Sequence, residues 1–150
     1  MTIGHTIEKY IRLTFFLVTL LMSPIARAST IGEETMINLT LMDGLAGETV
    51  NRVLTDHYGY VWIATTSGIS VYNGRSHSTY NICNERGYKA EVYDLCETMN
   101  NEIYAATQFG LYCLRQGAEV FEHILPEVEL PLSLLAVGDT VFIGSEQGFQ

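Results

Sequence analysis

Three segments of the 150-residue chain line up residue for residue. Trp62-Ile63-Ala64-Thr65-Thr66-Ser67-Gly68-Ile69, Tyr104-Ala105-Ala106-Thr107-Gln108-Phe109-Gly110-Leu111 and Phe142-Ile143-Gly144-Ser145-Glu146-Gln147-Gly148-Phe149 each hold an aromatic, a small residue, a hydroxyl, a glycine and an apolar residue at the same spacing. The glycines Gly68, Gly110 and Gly148 stand 42 and 38 positions apart. A unit of about 40 residues cannot bury its apolar face alone and must stack on its neighbours. The stretches around each core are strand-like and separated by turn residues. The repeat therefore reads as one blade of a β-propeller, an all-β architecture of four-stranded antiparallel meanders.

Within the first repeat, residues 50–91, β-branched and aromatic runs predict strands at Val50 to Thr55, Val61 to Thr65, Ile69 to Tyr72 and Ser76 to Tyr80. Asp56-His57-Tyr58-Gly59 has the residues of a type I turn, Gly68 suits a tight hairpin, and Asn73-Gly74 is the type I′ pair. The second repeat, 92–131, gives strands at Val92 to Glu97, Ile103 to Thr107, Leu111 to Leu114 and Glu119 to His123, with Asn101 in the place of Gly59. A third begins at Leu132, turns at Gly138-Asp139 and runs through Thr140 to Gly144, so 132–150 is half a blade. The second strand of each repeat is apolar on nearly every residue, as expected of a sheet covered on both faces. Two and a half blades do not close a ring of four to eight. The chain reads as the amino-terminal part of something longer, whose remaining blades complete the ring.

Ahead of the repeats, Lys9 and Arg12 precede an apolar run, Leu13 to Met22, and then Ala26-Arg27-Ala28. These are the three parts of a secretory signal peptide over residues 1–28, cleaved between Ala28 and Ser29, with retention as a membrane anchor the competing reading. Residues 29–49 read as a linker holding a short alternating strand, Met36 to Leu41, placed to pair with the last blade and close the circle. Beyond residue 28 there are 16 carboxylates and five bases, a net of −11. Duplex binding draws its affinity from lysine and arginine against phosphates, so nucleic acid is an unsuitable partner.

The first repeat, with Asp43-Gly44-Leu45, Val50, Asp56, Gly59, Val61-Trp62-Ile63-Ala64-Thr65, Gly68-Ile69 and Tyr72, resembles the two-component regulator propeller repeat. Ala64 stands where that pattern has Gly and Ile69 where it has Leu, and the later repeats match in skeleton. The resemblance covers roughly residues 36 to 150. It implies the periplasmic sensor of a hybrid two-component system of gut Bacteroidetes, in which propellers precede a membrane helix, a histidine kinase, a receiver and a DNA-binding domain. It further implies an oligosaccharide ligand, a homodimeric full-length sensor, periplasmic placement and control of transcription. The kinase would lie outside these residues, so this stretch is itself expected to be no enzyme. The alternative is part of a secreted propeller enzyme, such as a polysaccharide lyase, because the fold hosts both.

The residues assign no catalytic or metal centre and no cofactor. His57, His77 and His123 lack a second ligand at metal spacing on the same element. Ser145 falls where Thr65 and Thr107 stand, which makes it a structural hydroxyl rather than a nucleophile. Cys83, Cys96 and Cys113 form an odd set; Cys96 and Cys113 read as buried free thiols, with a bridge between them as the other option. Binding residues stay unassigned, although Tyr58, Tyr80, Tyr88 and Tyr93 are aromatics that could stack on sugar rings. The residues fixed by the repeat are Asp56, Gly59, Trp62, Thr65, Gly68, Tyr104, Thr107, Gly110, Phe142, Ser145 and Gly148.

Overall fold

In the computed structural model, which describes residues 38–125, 128–146 and 148–149, each β-branched or aromatic run forms a strand and each cluster of turn formers a bend. The first sheet is β1 (Val50–Thr55), β2 (Val61–Thr65), β3 (Gly68–Tyr72) and β4 (His77–Tyr80). The second is β5 (Val92–Glu97), β6 (Ile103–Thr107), β7 (Gly110–Leu114) and β8 (Glu122–Ile124). The third is β9 (Pro131–Val137), β10 (Thr140–Ser145) and β11 (Gly148–Phe149). Strand order follows the chain in every sheet and all pairs are antiparallel. The fold is an all-β, incomplete β-propeller whose three sheets do not close. The signal peptide expected at 1–28, its Ala28–Ser29 site, and Met36 and Ile37 lie outside the described residues. No helix among the described residues is long and apolar enough to cross a membrane.

The continuous apolarity of the second strands follows from the stacking. Ile103 and Ala105 of β6 face the first sheet, where they join Trp62, Ala64, Ile69 and Val71. Tyr104 and Ala106 point the other way, onto Leu134 and Ile143 of the third. Alternate residues of one strand thus serve two cores, and neither face is left for water. Trp62, 6% exposed, stacks on Tyr80 at 5.6 Å and meets the edge of Phe121 at 6.4 Å. Truncating so enclosed an aromatic to alanine costs about 3–5 kcal/mol.

The innermost strands are also linked by polar groups. Register shifts between Val50 and Arg52, and between Val92 and Asp94, leave Asn51 and Tyr93 as the extra residues of equivalent bulges. Asn51 Nδ2 donates to the Val92 carbonyl at 2.9 Å. Asp94 joins three sheets: Oδ1 pairs with Arg52 Nε at 3.1 Å, and Oδ2 accepts the Leu134 N–H at 2.8 Å. Arg52 is half-exposed, so its pair contributes only about 0–1 kcal/mol. The Leu134 amide is the costlier group to strand, at about 1–3 kcal/mol.

Three expectations need correction. The alternation over Met36 to Leu41 does not make a strand in its described part: residues 38–40 form no ladder, and Leu41–Asp43 is a single 3-10 turn. Thr40 and Asp43 cap each other there, with the Asp43 carboxylate accepting both the Thr40 N–H and its hydroxyl. Asn73-Gly74 is not a type I′ turn, because only Gly74 has positive φ (+89°). Asn73 Oδ1 instead accepts the N–H groups of Arg75 and Ser76, and this side-chain turn closes a four-residue loop between Tyr72 and His77. The fourth strand of the second sheet starts at Glu122 rather than Glu119, because Phe121 turns inward to the Trp62 core and draws the backbone off the ladder.

Candidate functional site

Asp56 organises a concavity between the first two sheets. Its Oδ1 accepts the N–H groups of Tyr58 (2.9 Å) and Tyr60 (2.8 Å), while Oδ2 accepts the indole Nε1–H of Trp62 (2.8 Å). The loop is closed by Gly59 N–H to the Asp56 carbonyl, and Gly59 takes φ +83° to allow it. One buried carboxylate therefore ties the aromatic core to a loop that holds Tyr58 and Tyr60 out, 60% and 43% exposed.

The equivalent loop of the second sheet, residues 98–102, lies beside it. Asn101 adopts φ +62° in the position of Gly59, the non-glycine residue best suited to that conformation. Between the two loops is a cleft of about 230 Å³, with Tyr58, Tyr60 and Tyr80 on one side and Glu97, Asn101, Arg115 and Gln116 on the other. Glu97 reaches across it: its carboxylate accepts the His57 backbone N–H at 3.0 Å and bonds His57 Nδ1 at 2.5 Å. Gln116 Nε2 donates to the Tyr58 hydroxyl at 3.1 Å. Flat aromatic faces, two carboxylates, amides and a guanidinium thus converge on one opening.

Of the aromatics singled out in the sequence, Tyr58 and Tyr80 come together here, whereas Tyr88 stands exposed on the 84–88 loop and Tyr93 sits half-buried at the β5 bulge. Tyr60, Glu97, Asn101 and Arg115 were not singled out as a cleft. The signal was present in the 42-residue period, which sets residues 56–60 and 98–102 on one rim. His77 and His123 lie away from the cleft, each stacked on a tyrosine across the outer hairpin, Tyr72 at 4.6 Å and Tyr112 at 4.7 Å.

The repeat residues occupy a structural spine. Thr65 Oγ1 donates to the Gly68 carbonyl and Thr107 Oγ1 to that of Gly110, both at 2.8 Å; Ser145 Oγ does the same to Gly148 at 3.2 Å. The three glycines take φ of +122°, +110° and +117°. Trp62 and Tyr104 fill the two inter-sheet spaces, and Phe142 pairs with Leu135 on the third sheet.

All three cysteines are free. Cys96 and Cys113 both pair with Tyr104, one from each side, so a whole strand separates them. Two strand spacings are about 9.6 Å, beyond the reach of a disulfide. Burial, reinforced by the Asp94 carboxylate, pushes the Cys96 thiol up to about 12, and burial raises Cys113 likewise. Neither is a nucleophile. No group of three or more metal-ligating side chains gathers among the described residues.

No protein-family model matches the chain, and no curated protein matches it. Among solved structures it is similar to PorZ, described as an essential bacterial surface component of the type-IX secretion system of the human oral bacterium Porphyromonas gingivalis. The two are 25% identical with a TM-score of 0.53 over 67% of this chain. The match spans 17% of that protein's length, so what the two share is the fold of one stretch of a bacterial surface protein.

Proposed function

We propose that the chain is a ligand-binding propeller stretch of an exported bacterial envelope protein, and that the cleft between its first two sheets holds a glycan-derived oligosaccharide. The observation that carries this reading is the pair of exposed rings, Tyr58 and Tyr60, on a loop whose backbone Asp56 holds opposite Glu97 and Asn101. Tyrosine faces pack on the C–H faces of a sugar ring, while carboxylate and amide groups take its hydroxyls. The signal-peptide pattern and the likeness to a surface component both support export. Titration of the protein with a panel of oligosaccharides tests it. Binding by at least one, weakened tenfold or more by Tyr58→Ala or Tyr60→Ala, supports the reading, and no binding across the panel refutes it.

Two further readings concern the whole protein. The exported propeller enzyme shares its placement with the surface protein that the chain is similar to. Incubation with acidic polysaccharides, followed by the ultraviolet absorbance of an unsaturated product, tests a lyase. The sensor of a hybrid two-component system is favoured by the Asp56, Trp62 and Gly68 spacing of the first repeat. A reading frame that continues into a hydrophobic span and kinase motifs would support it; one without them would not.

A further inference from the structure

The cleft between the first two sheets carries an uneven charge. Two of its lining side chains are carboxylates, Asp56 and Glu97, one is a guanidinium, Arg115, one is an imidazole, His57, and no lysine is among them. Both basic groups are already engaged by carboxylates. Arg115 stands between Glu122, which its Nη1 meets, and Glu102, 3.9 Å from its Nε, while His57 Nδ1 bonds Glu97. Four carboxylates are thus set against one permanent positive charge and one imidazole, so the local balance is negative in either state of His57. The excess of carboxylates over bases beyond residue 28 extends the same sign over the rest of the surface. The other polar lining groups are uncharged: the amides of Asn73, Asn101 and Gln116, the hydroxyls of Ser76 and Ser78, and the tyrosines. Tyr58 and Tyr60 offer their rings with centroids 6.2 Å apart.

We infer that the cleft takes uncharged oligosaccharides and rejects uronates and sulfated sugars, an inference that rests on the oligosaccharide reading of this site. An uncharged ring needs only the tyrosine faces for its C–H surface and the amides and serine hydroxyls for its own hydroxyls. An anionic ring would enter a negative field, and the guanidinium it needs as a partner is held by Glu102 and Glu122. Rejection by like charge is a specificity device that does not weaken the accepted ligand. The same charges argue against an acidic polysaccharide as the occupant of this cleft.

Calorimetric titration at neutral pH with matched trimers tests it: the glucose, galactose and mannose series, each as the uncharged sugar and as its uronate. In a series that binds, the uncharged trimer should bind at least about tenfold more tightly than its uronate at low salt, and the gap should narrow at high salt as the repulsion is screened. Glu122→Gln, at an exposed position outside the cleft lining, removes one charge and releases Arg115. It should raise uronate affinity about threefold or more and leave the uncharged trimer unchanged. Should that variant unfold, Glu97→Gln reads the same ratio from within the cleft. A uronate that binds as tightly as its uncharged partner, or a gap that neither salt nor the variants alter, would overturn the inference and leave the oligosaccharide reading standing. No binding by any trimer, charged or uncharged, would refute that reading and the inference with it.

Discussion

Replacing Asp56 by asparagine separates the two tasks of this side chain, and the chain contains its own control. Asn84 closes a loop of the same form: its Oδ1 accepts the N–H groups of Arg86 and Tyr88, and Gly87 N–H bonds its carbonyl at 2.9 Å. An amide therefore serves the turn as well as a carboxylate does. It cannot also serve Trp62. With Oδ1 held by Tyr58 and Tyr60, the new NH₂ faces the indole Nε1–H, donor against donor, in a site where Trp62 is 6% exposed. A buried donor left without an acceptor costs about 1–3 kcal/mol. Asp56→Asn should therefore destabilise by about 2 kcal/mol, or roughly 6–10 °C in melting temperature for a domain of this size. With Trp62→Phe already in place the indole donor is gone, and the same substitution should cost at least about 1 kcal/mol less. Urea unfolding of the four proteins of this cycle measures the coupling. A coupling below about 0.5 kcal/mol, the scatter expected of independent sites, would show that the carboxylate acts through the turn alone and would refute the reasoning.

The three repeat glycines should rank by what stands beyond them. A Cβ on Gly68 would lie 2.9 Å from the Tyr80 carbonyl oxygen, one on Gly110 would meet the movable ring of His123 at 2.6 Å, and one on Gly148 meets nothing within 4 Å. All three share the left-handed strain, about 1–2 kcal/mol, so thermal melting should place Gly68→Ala as the most damaging and Gly148→Ala as the least; equal losses would contradict the geometry. The cysteines should divide in a thiol-reagent assay: exposed Cys83 reacts in the folded protein, Cys96 and Cys113 only on unfolding. Because the Cys96 thiol is held up near 12 in the fold, the native state keeps a proton that the unfolded chain sheds above about pH 8.5. Stability should be intact below that pH and fall as pH rises toward 12, and Cys96→Ala should flatten the fall. An unchanged slope would assign it to other groups.

The sequence makes the repeat legible because its marks are local. A hydroxyl three residues before a glycine, an aromatic three before the hydroxyl, and turn formers between β-branched runs place the first three strands of the two full sheets to within a residue. Asn101 is readable as a stand-in for Gly59 for the same reason. What stays hidden depends on residues distant in sequence. Phe121 leaves the ladder only because Trp62 and Tyr80 offer it a core, and no local pattern of Glu119 to His123 contains them. The Asp56–Trp62 bond needs the reach of one side chain over a turn, which spacing suggests but does not determine. The cleft joins loops 42 residues apart, so it becomes visible once two blades are set side by side. Asn73-Gly74 misleads because the asparagine side chain replaces a backbone turn with one of its own.

Nuclear Overhauser contacts between the sheets test the stacked-blade architecture most directly. The account predicts contacts from the Trp62 indole to the Phe121 ring, whose centroids lie 6.4 Å apart, and from Tyr80 to Phe121 at 5.5 Å, together with slow exchange of the indole N–H held by Asp56. Complete antiparallel ladders within each sheet, without contacts between sheets and with a rapidly exchanging indole, would instead show independent meanders and contradict it.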